Sequence, residues 1–327
     1  AIFSCYNDKP SINHLLNKLE SYQRSIFLET VDALISCNYQ ASEEIKPKIH
    51  QILTNMAGNI GWNIAANISL QSPASVECLK PSIEEEISIG FEVLFKLLSI
   101  TYDPQSISHI RESLESGTSE GIGFAIELLD LILADEIKPV LFMLLEDVAD
   151  TEKVRQMQQE FPIRILPEED LLYDIMNRDS NLINRWVKAC AIMALTGLDE
   201  HKVRDDLVAH LFNPDDFIRQ TAAFVLFRLN EPSFQSAGKR LKPEIYYELT
   251  RDLSIAENNS SYLLFNKALY IKKLTFFANI STEVIIEIAE TLQYEKLNPG
   301  RKIEEANEPV FYFIITGSVN LVKSNKQ

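Results

Sequence analysis

Residues that could do chemistry are thinly spread along this chain. The five histidines stand at 14, 50, 109, 201 and 210, with no HExxH spacing and no close pair. Zinc needs three or four ligands converging on one point, so these histidines read as solvated or capping side chains. The four cysteines, at 5, 37, 78 and 190, form no CxxC pair. That spacing excludes a zinc ribbon and a thioredoxin-like site, and leaves buried free thiols in a reducing cytoplasm as the reading. Asp205-Asp206 and Asp215-Asp216 are carboxylate pairs of the kind that can hold a divalent ion, but a third Asp is missing, since position 219 is Arg. Asp215 and Asp216 suit a helix N-terminus instead, where negative charge is favourable. Gly121-Ile-Gly123 lacks the third glycine of a dinucleotide loop and reads as a close helix contact. Neither a Walker lysine motif nor a Gly-x-Ser-x-Gly elbow occurs. No catalytic, cofactor-binding or metal-ligating residue is assigned, and the chain is expected not to be an enzyme. Arg185-Trp186 and Arg219 invite a binding role; hydrogen bonding between helical repeats, with Trp186 packed nearby, is the simpler account.

Composition narrows the partners. Lys plus Arg is 31 against 47 Asp plus Glu in 327 residues, a formal net charge of −16. Phosphate backbones and anionic membrane surfaces both demand a basic face, so no nucleic acid is expected as partner. No span is apolar for the roughly 20 residues a membrane helix needs; Ile122 to Leu133 contains Glu127 and Asp130. Direct membrane insertion by this chain is therefore not expected. The start, Ala1-Ile-Phe-Ser-Cys-Tyr6, lacks a basic segment followed by an apolar one, and so does not read as a signal peptide. It also lacks an initiator Met, as an excised fragment would. The Asn-x-Ser matches at 67, 258, 259 and 279 read as chance without a secretion signal.

The elements that must position any site are amphipathic helices. Ser82-Ile-Glu-Glu85 has capping-box spacing and predicts a helix start, with Ile87, Phe91, Leu94, Phe95 and Leu98 on one face. Tyr102-Asp103-Pro104 ends that helix, Ser119 is the expected cap of a later one, and Pro139 suits a first turn. Two offsets recur. At 33 residues, Gly90 meets Gly123, Phe91 meets Phe124, Leu98 meets Leu131 and Ile107 meets Val140. At 34 residues, Ile183 meets Phe217, Arg185 meets Arg219, Ala189 meets Ala223 and Ile192 meets Leu226. Periods of this length with two helices each predict an α-solenoid. Residues 1–80 are helical with less clear repeats. After residue 260 the texture changes: Asn298-Pro-Gly300 is a turn signal, and Val310-Phe-Tyr-Phe-Ile-Ile315, Gly317 and Val319-Asn-Leu-Val322 read as strands.

Asp179…Arg185-Trp-Val-Lys-Ala189 and Asn213-Pro-Asp-Asp-Phe-Ile-Arg219-Gln-Thr-Ala-Ala223 resemble HEAT repeats. In those repeats an Asp six residues before an Arg links successive units. Asp179 and Arg185 fit; Asn213 in place of Asp before Arg219 weakens one rung. Leu274-Thr-Phe-Phe277, Ile280-Ser281, Ile288-Ala289, Leu297-Asn-Pro299-Gly300 and Phe311-Tyr-Phe-Ile-Ile-Thr-Gly317-Ser-Val319 resemble the N-terminal half of a cyclic-nucleotide-binding domain. The family's phosphate cassette, a Gly-Glu pair, a short helix and an Arg, is not in the sequence up to Gln327. The resemblance thus implies a cyclic nucleotide only if the domain is completed beyond Gln327, and no cofactor in this chain. Asp135 to Asp147, Met176-Asn-Arg-Asp179 and Asn184-Arg-Trp-Val-Lys-Ala-Cys190 further resemble the soluble tail of bacterial ATP/ADP-translocase-like transporters.

Together these give a mainly α fold: an N-terminal helical region 1–80, HEAT-like repeats 81–260, and a partial cyclic-nucleotide-binding β-roll 261–327, with strand confined to 294–323. The implied function is a non-catalytic regulatory or protein-interaction region, cytoplasmic, whose partner is another protein or the membrane transporter portion of the same polypeptide. A stand-alone HEAT-type scaffold, with the β segment as a structural cap, is the alternative.

Overall fold

The structure, a computed structural model, describes residues 8–21, 23–197, 205–278, 280–302 and 310–320. Two compact units divide the chain, Ala1–Gly238 and Lys239–Gln327. The first holds α1 (Lys9–Lys18), α2 (Arg24–Ser36), α3 (Lys46–Ser69), α4 (Pro73–Thr101), α5 (Pro104–Glu115), α6 (Ser119–Ile132), α7 (Lys138–Leu145), α8 (Asp150–Met157), α9 (Glu168–Asn177), α10 (Arg185–Ala194), α11 (Asp205–Ala209), α12 (Asp216–Leu229) and α13 (Glu231–Gly238). The second holds α14 (Pro243–Asn258), α15 (Leu264–Lys272) and α16 (Thr282–Thr291).

Local chemistry starts most of these helices. Side-chain oxygens of Asp8, Ser72, Asp103, Thr118, Asn184 and Asp215 accept the amide protons that the first turns leave free. Proline lies in the first turn of α3, α4, α5, α7 and α14, where its missing N–H costs nothing. The cap expected at Ser119 is one residue earlier, at Thr118, whose hydroxyl accepts from the Gly121 amide at 3.1 Å. The expected start at Ser82 does not occur. Helix α4 begins at Ser72 and runs through Pro81, which removes one bond to the carbonyl four residues back without ending the helix. Ser82 is then a mid-helix residue, its hydroxyl donating to the Cys78 carbonyl at 2.8 Å.

The core of the first unit is the α3/α4 pair, joined by a short turn and packed along its length. Gly90 lets the two approach, since a Cβ there would lie 2.7 Å from Ile60. Small residues between Asn55 and Ser69 likewise serve close contact and not a turn: α3 is continuous, and a Cβ at Gly61 would meet Met157 at 2.6 Å. The chain leaves the pair through α5 and α6, returns onto α3 through α7 and α8, and then lays α10 between α4, α9 and α12. Such pairing is compatible with an α-solenoid, with the addition that α3 and α4 also receive helices distant in sequence. The 34-residue register shows in the burial: Ile183 and Phe217, Ala189 and Ala223, Ile192 and Leu226 are all fully buried. The 33-residue register does not, because Leu98 is buried while Leu131 is 81% exposed, and Phe91 is half-buried while Phe124 is 55% exposed.

In the second unit α15 packs on α16. The β segment expected within 294–323 is a correction: no strand forms among the described residues, and the fold is all-helical. The Asn298-Pro-Gly300 turn is made, with the Arg301 amide donating to the Asn298 carbonyl at 3.1 Å and Gly300 at a φ of +84°. Gly317 also has a positive φ, +97°. What is missing is a ladder. Aromatic and β-branched residues favour a strand only where a neighbouring strand takes their N–H and C=O groups. Here the Ile314 carbonyl accepts from the Tyr270 hydroxyl of α15 at 2.5 Å, and Phe313 packs on Phe277 with ring centroids 5.9 Å apart. Residues 303–309 and 321–323 of the expected β segment lie outside the described residues. The expected boundaries also differ from the units seen, since position 80 falls inside α4 and the division comes after Gly238.

Candidate functional site

The motif residues singled out in the sequence fall in two places. Pro299 and Gly300 make a turn in the second unit, and Gly317 sits in a bend there with a positive φ. Asp179, Arg185, Trp186 and Arg219 gather around the start of α10 and α12. Asp179 Oδ1 accepts from the Asn181 amide at 2.9 Å, shaping the turn that leads into α10. Arg185 Nη1 reaches Asp215 Oδ2, the cap of α12, at 3.4 Å, so an inter-helix link is made through Asp215. Arg219 donates to the Asn213 carbonyl at 2.8 Å and pairs with Asp216. Trp186 is 1% exposed and stacks on Phe217 with centroids 6.1 Å apart. Its indole N–H donates to Ser82 Oγ at 2.9 Å, which makes it part of the core.

That bond belongs to a polar seam that sequence reading missed. Cys78, Ser82 and Glu86 lie four residues apart and so share one face of α4. Opposite them, in reverse order along the chain, stand Cys190, Trp186 and Asn184. The two sulfurs are 2.9 Å apart, Trp186 bonds Ser82, and Asn184 Nδ2 donates to Glu86 Oε1 at 2.5 Å. Arg24, at the start of α2, completes the deep end with an ion pair to Glu86 Oε2 at 2.6 Å. The Leu182 carbonyl accepts from Arg24 Nη1 at 3.3 Å and from Asn59 Nδ2 at 3.0 Å. Asn59 Oδ1 in turn accepts from Arg178 Nη2 at 2.8 Å, and the Arg178 guanidinium lies 3.7 Å above the Trp62 ring. Three helices thereby hold the loop before α10. Burial pushes the Glu86 carboxyl above its ordinary range, against the pull of Arg24 and Asn184. Burial also lowers Arg178 to about 10. The only sequence signal was the acidic run Glu84-Glu85-Glu86, in which the third residue falls on the apolar face of α4.

A cleft of about 670 Å³ opens beside the end of α4, lined by Lys46, His50, Tyr102, Ala134 and Glu136 among others. Tyr102 sits 3.0 Å from His50 Nε2 and its oxygen accepts from the Ala134 amide at 3.1 Å. Burial holds the His50 pKa below its usual value. With both hydroxyl partners supplied by the fold, the pair latches α3, α4 and the loop after α6. No group of three His, Cys, Asp or Glu able to hold a metal forms among the described residues.

The outer side of α6 is different in kind. Ala125, Leu129 and, just past its end, Leu133 face the core. Phe124 and Leu131 are exposed, and with the half-buried Leu128 between them, spaced four and three apart, they make a second apolar stripe on the outer side. Glu120 and Glu127 lie on the same exposed face, with Asp130 beside it, and α6 has no basic residue. Asp130 meets Lys138 of α7 at 3.2 Å. No described helix is long and apolar enough to cross a membrane. Compared with known proteins, the chain matches no family model, no curated protein and no solved structure.

Proposed function

We propose that this chain is a non-catalytic helical scaffold that binds a protein partner, and that the outer face of α6 is where the partner docks. The observation that carries this reading is the second stripe of α6, Phe124, Leu128 and Leu131, on a helix whose core-facing side is already filled by Ala125 and Leu129. Isolated exposed apolar residues are ordinary, but a helical stripe of three with acidic flanks has the form of a docking face. The flanks choose the occupant. Glu120 and Glu127 beside leucine and phenylalanine favour an apolar helix edged with Lys or Arg. A second copy of this acidic chain is disfavoured by its own charge of −16. The cyclic-nucleotide part of the expected function depended on strands between 294 and 323, and is not carried forward.

The test uses two fluorescent 18-residue helical peptides, each with leucines at helical spacing, one flanked by lysine and one by glutamate. The intact chain should bind the basic peptide, more weakly as salt rises, and leave the acidic one unbound. Phe124→Asp and Leu131→Asp should each lose at least tenfold in affinity with unchanged far-ultraviolet circular dichroism. Equal binding of both peptides, or binding untouched by the two substitutions, would overturn the reading.

A further inference from the structure

We propose that Cys78 and Cys190 are a modification site: a thiol pair that closes to an intramolecular disulfide and locks α4 to α10. Three observations carry it. The two sulfurs, from residues 112 apart in sequence, lie 2.9 Å from one another. A disulfide has an S–S length of about 2.05 Å, so the pair needs to close by only about 0.9 Å. The second observation is the frame around them. Both cysteines are end rungs of the seam described above, with Ser82 and Trp186 forming the next rung at 2.9 Å and Glu86 and Asn184 the one after. Helices α4 and α10 are therefore already held in the register that keeps the thiols together, and closure orders nothing new. The Ser82 hydroxyl also lies 3.9 Å from the Cys190 sulfur. The third is access. Cys78 is half-buried, within reach of a small oxidant, whereas Cys190 is 2% exposed.

The roles follow from that asymmetry. With hydrogen peroxide as the oxidant, the Cys78 sulfur attacks one peroxide oxygen, the O–O bond breaks, and water leaves with the thiol proton; Cys78 becomes a sulfenic acid. The Cys190 sulfur then attacks the Cys78 sulfur, the S–OH bond breaks, and the hydroxide leaves as a second water with the Cys190 proton. The sum is two thiols and one peroxide to one disulfide and two waters: the sulfurs lose two electrons and the peroxide gains them. A buried resolving thiol in contact with the more accessible attacked one keeps the attacked sulfur from further oxidation. The bond would also tie the unfolded chain across the residues between 78 and 190, which raises stability chiefly by restricting that state. Sequence spacing gives no hint of this pair, because only the packing of α10 on α4 brings the two residues together.

The experiment takes the whole chain, reduced and then freed of reductant, and exposes it to stoichiometric hydrogen peroxide. Intact mass should fall by two hydrogen atoms. A non-reducing peptide map should show one link, Cys78 to Cys190, that dithiothreitol reverses, and the oxidised chain should unfold at higher urea than the reduced one. Cys37→Ser should leave all of this in place. Cys78→Ser, checked for native circular dichroism, should give no intramolecular link. Links made through Cys5 or Cys37, links between chains only, or a Cys78 that ends as sulfinic acid beside an alkylatable Cys190 would each overturn the proposal. Because the map is read on the unaltered chain, it decides the matter even if a variant fails to fold, and it is independent of whether the α6 face binds peptide.

Discussion

At the scale of single residues the most exacting position is Glu86. Its side chain is 1% exposed, and Arg24 and Asn184 are the groups that answer its charge. Burial alone would favour the neutral acid. Arg24→Ala therefore leaves a buried carboxylate with one neutral donor, and is expected to cost about 3–5 kcal/mol at neutral pH. Arg24→Met combined with Glu86→Leu should recover most of that loss, since the cost lies in the unpaired charge and not in the pair itself. The pH dependence has a definite sign. The folded pKa of Glu86 is raised above its usual 4.5, so the stability it contributes is fully present below 4.5 and is lost as pH rises through the folded value. Removing Arg24 raises that value further. The deficit of Arg24→Ala, measured as urea midpoints at pH 7 and pH 5, should shrink at the lower pH. A deficit equal at both would mean that Glu86 is not the group responsible.

At the scale of elements, what could be read from sequence depended on whether the determining contact was local. Asp103 before Pro104, Pro139 in the first turn of α7 and Asp215 as a cap were legible because a cap is decided within four residues. Ser82 misleads for the same reason in reverse. Its spacing to Glu85 satisfies the local rule, but Leu79 and Ser75 are already buried on the preceding turns of α4, and that packing carries the helix through Pro81. The aromatic run from Val310 failed as a strand because strand formation is settled by a partner, and Tyr270 holds the Ile314 carbonyl. The seam of α4 and α10 was illegible altogether, being made of residues about a hundred positions apart. Ala189 and Ala223, by contrast, were correctly placed by the 34-residue register: both are fully buried, one on α10 and one on α12, two helices that pack on each other. Ala223→Leu should overpack that contact and cost roughly 1–3 kcal/mol. The offset partner of a 33-residue match makes the control: Gly123 faces open space, and a side-chain methyl there would have nothing within 4 Å. Gly123→Ala should leave the midpoint unchanged or raise it, as alanine is the better helix former. An unchanged urea midpoint for Ala223→Leu would count against the α10/α12 packing.

At the scale of the whole molecule, the first unit has what independent folding requires. At Ala1–Gly238 it is within the usual size of a domain. Its buried apolar residues run from Leu15 on α1 to Ala237 on α13, and the largest of the fully buried side chains, among them Trp186, Phe217 and Phe234, lie inside it. Its polar seam is also internal, from Arg24 to Cys190. The two tryptophans of the chain, Trp62 and Trp186, are both buried there, one beneath Arg178 and the other between Ser82 and Phe217. Tryptophan emission is thus a private reporter of this unit, while far-ultraviolet circular dichroism follows all sixteen described α-helices. Residues 1–238 produced alone should be strongly helical, emit at the short wavelength of a buried indole, and lose both signals together in one cooperative urea transition. Emission at the wavelength of a solvated indole, or a gradual loss of helix without a transition, would show that this core is not sufficient by itself. Coincidence of the two probes in the fragment, set against the same two probes in the whole chain, then isolates the signal of α14, α15 and α16, because no tryptophan lies beyond Gly238.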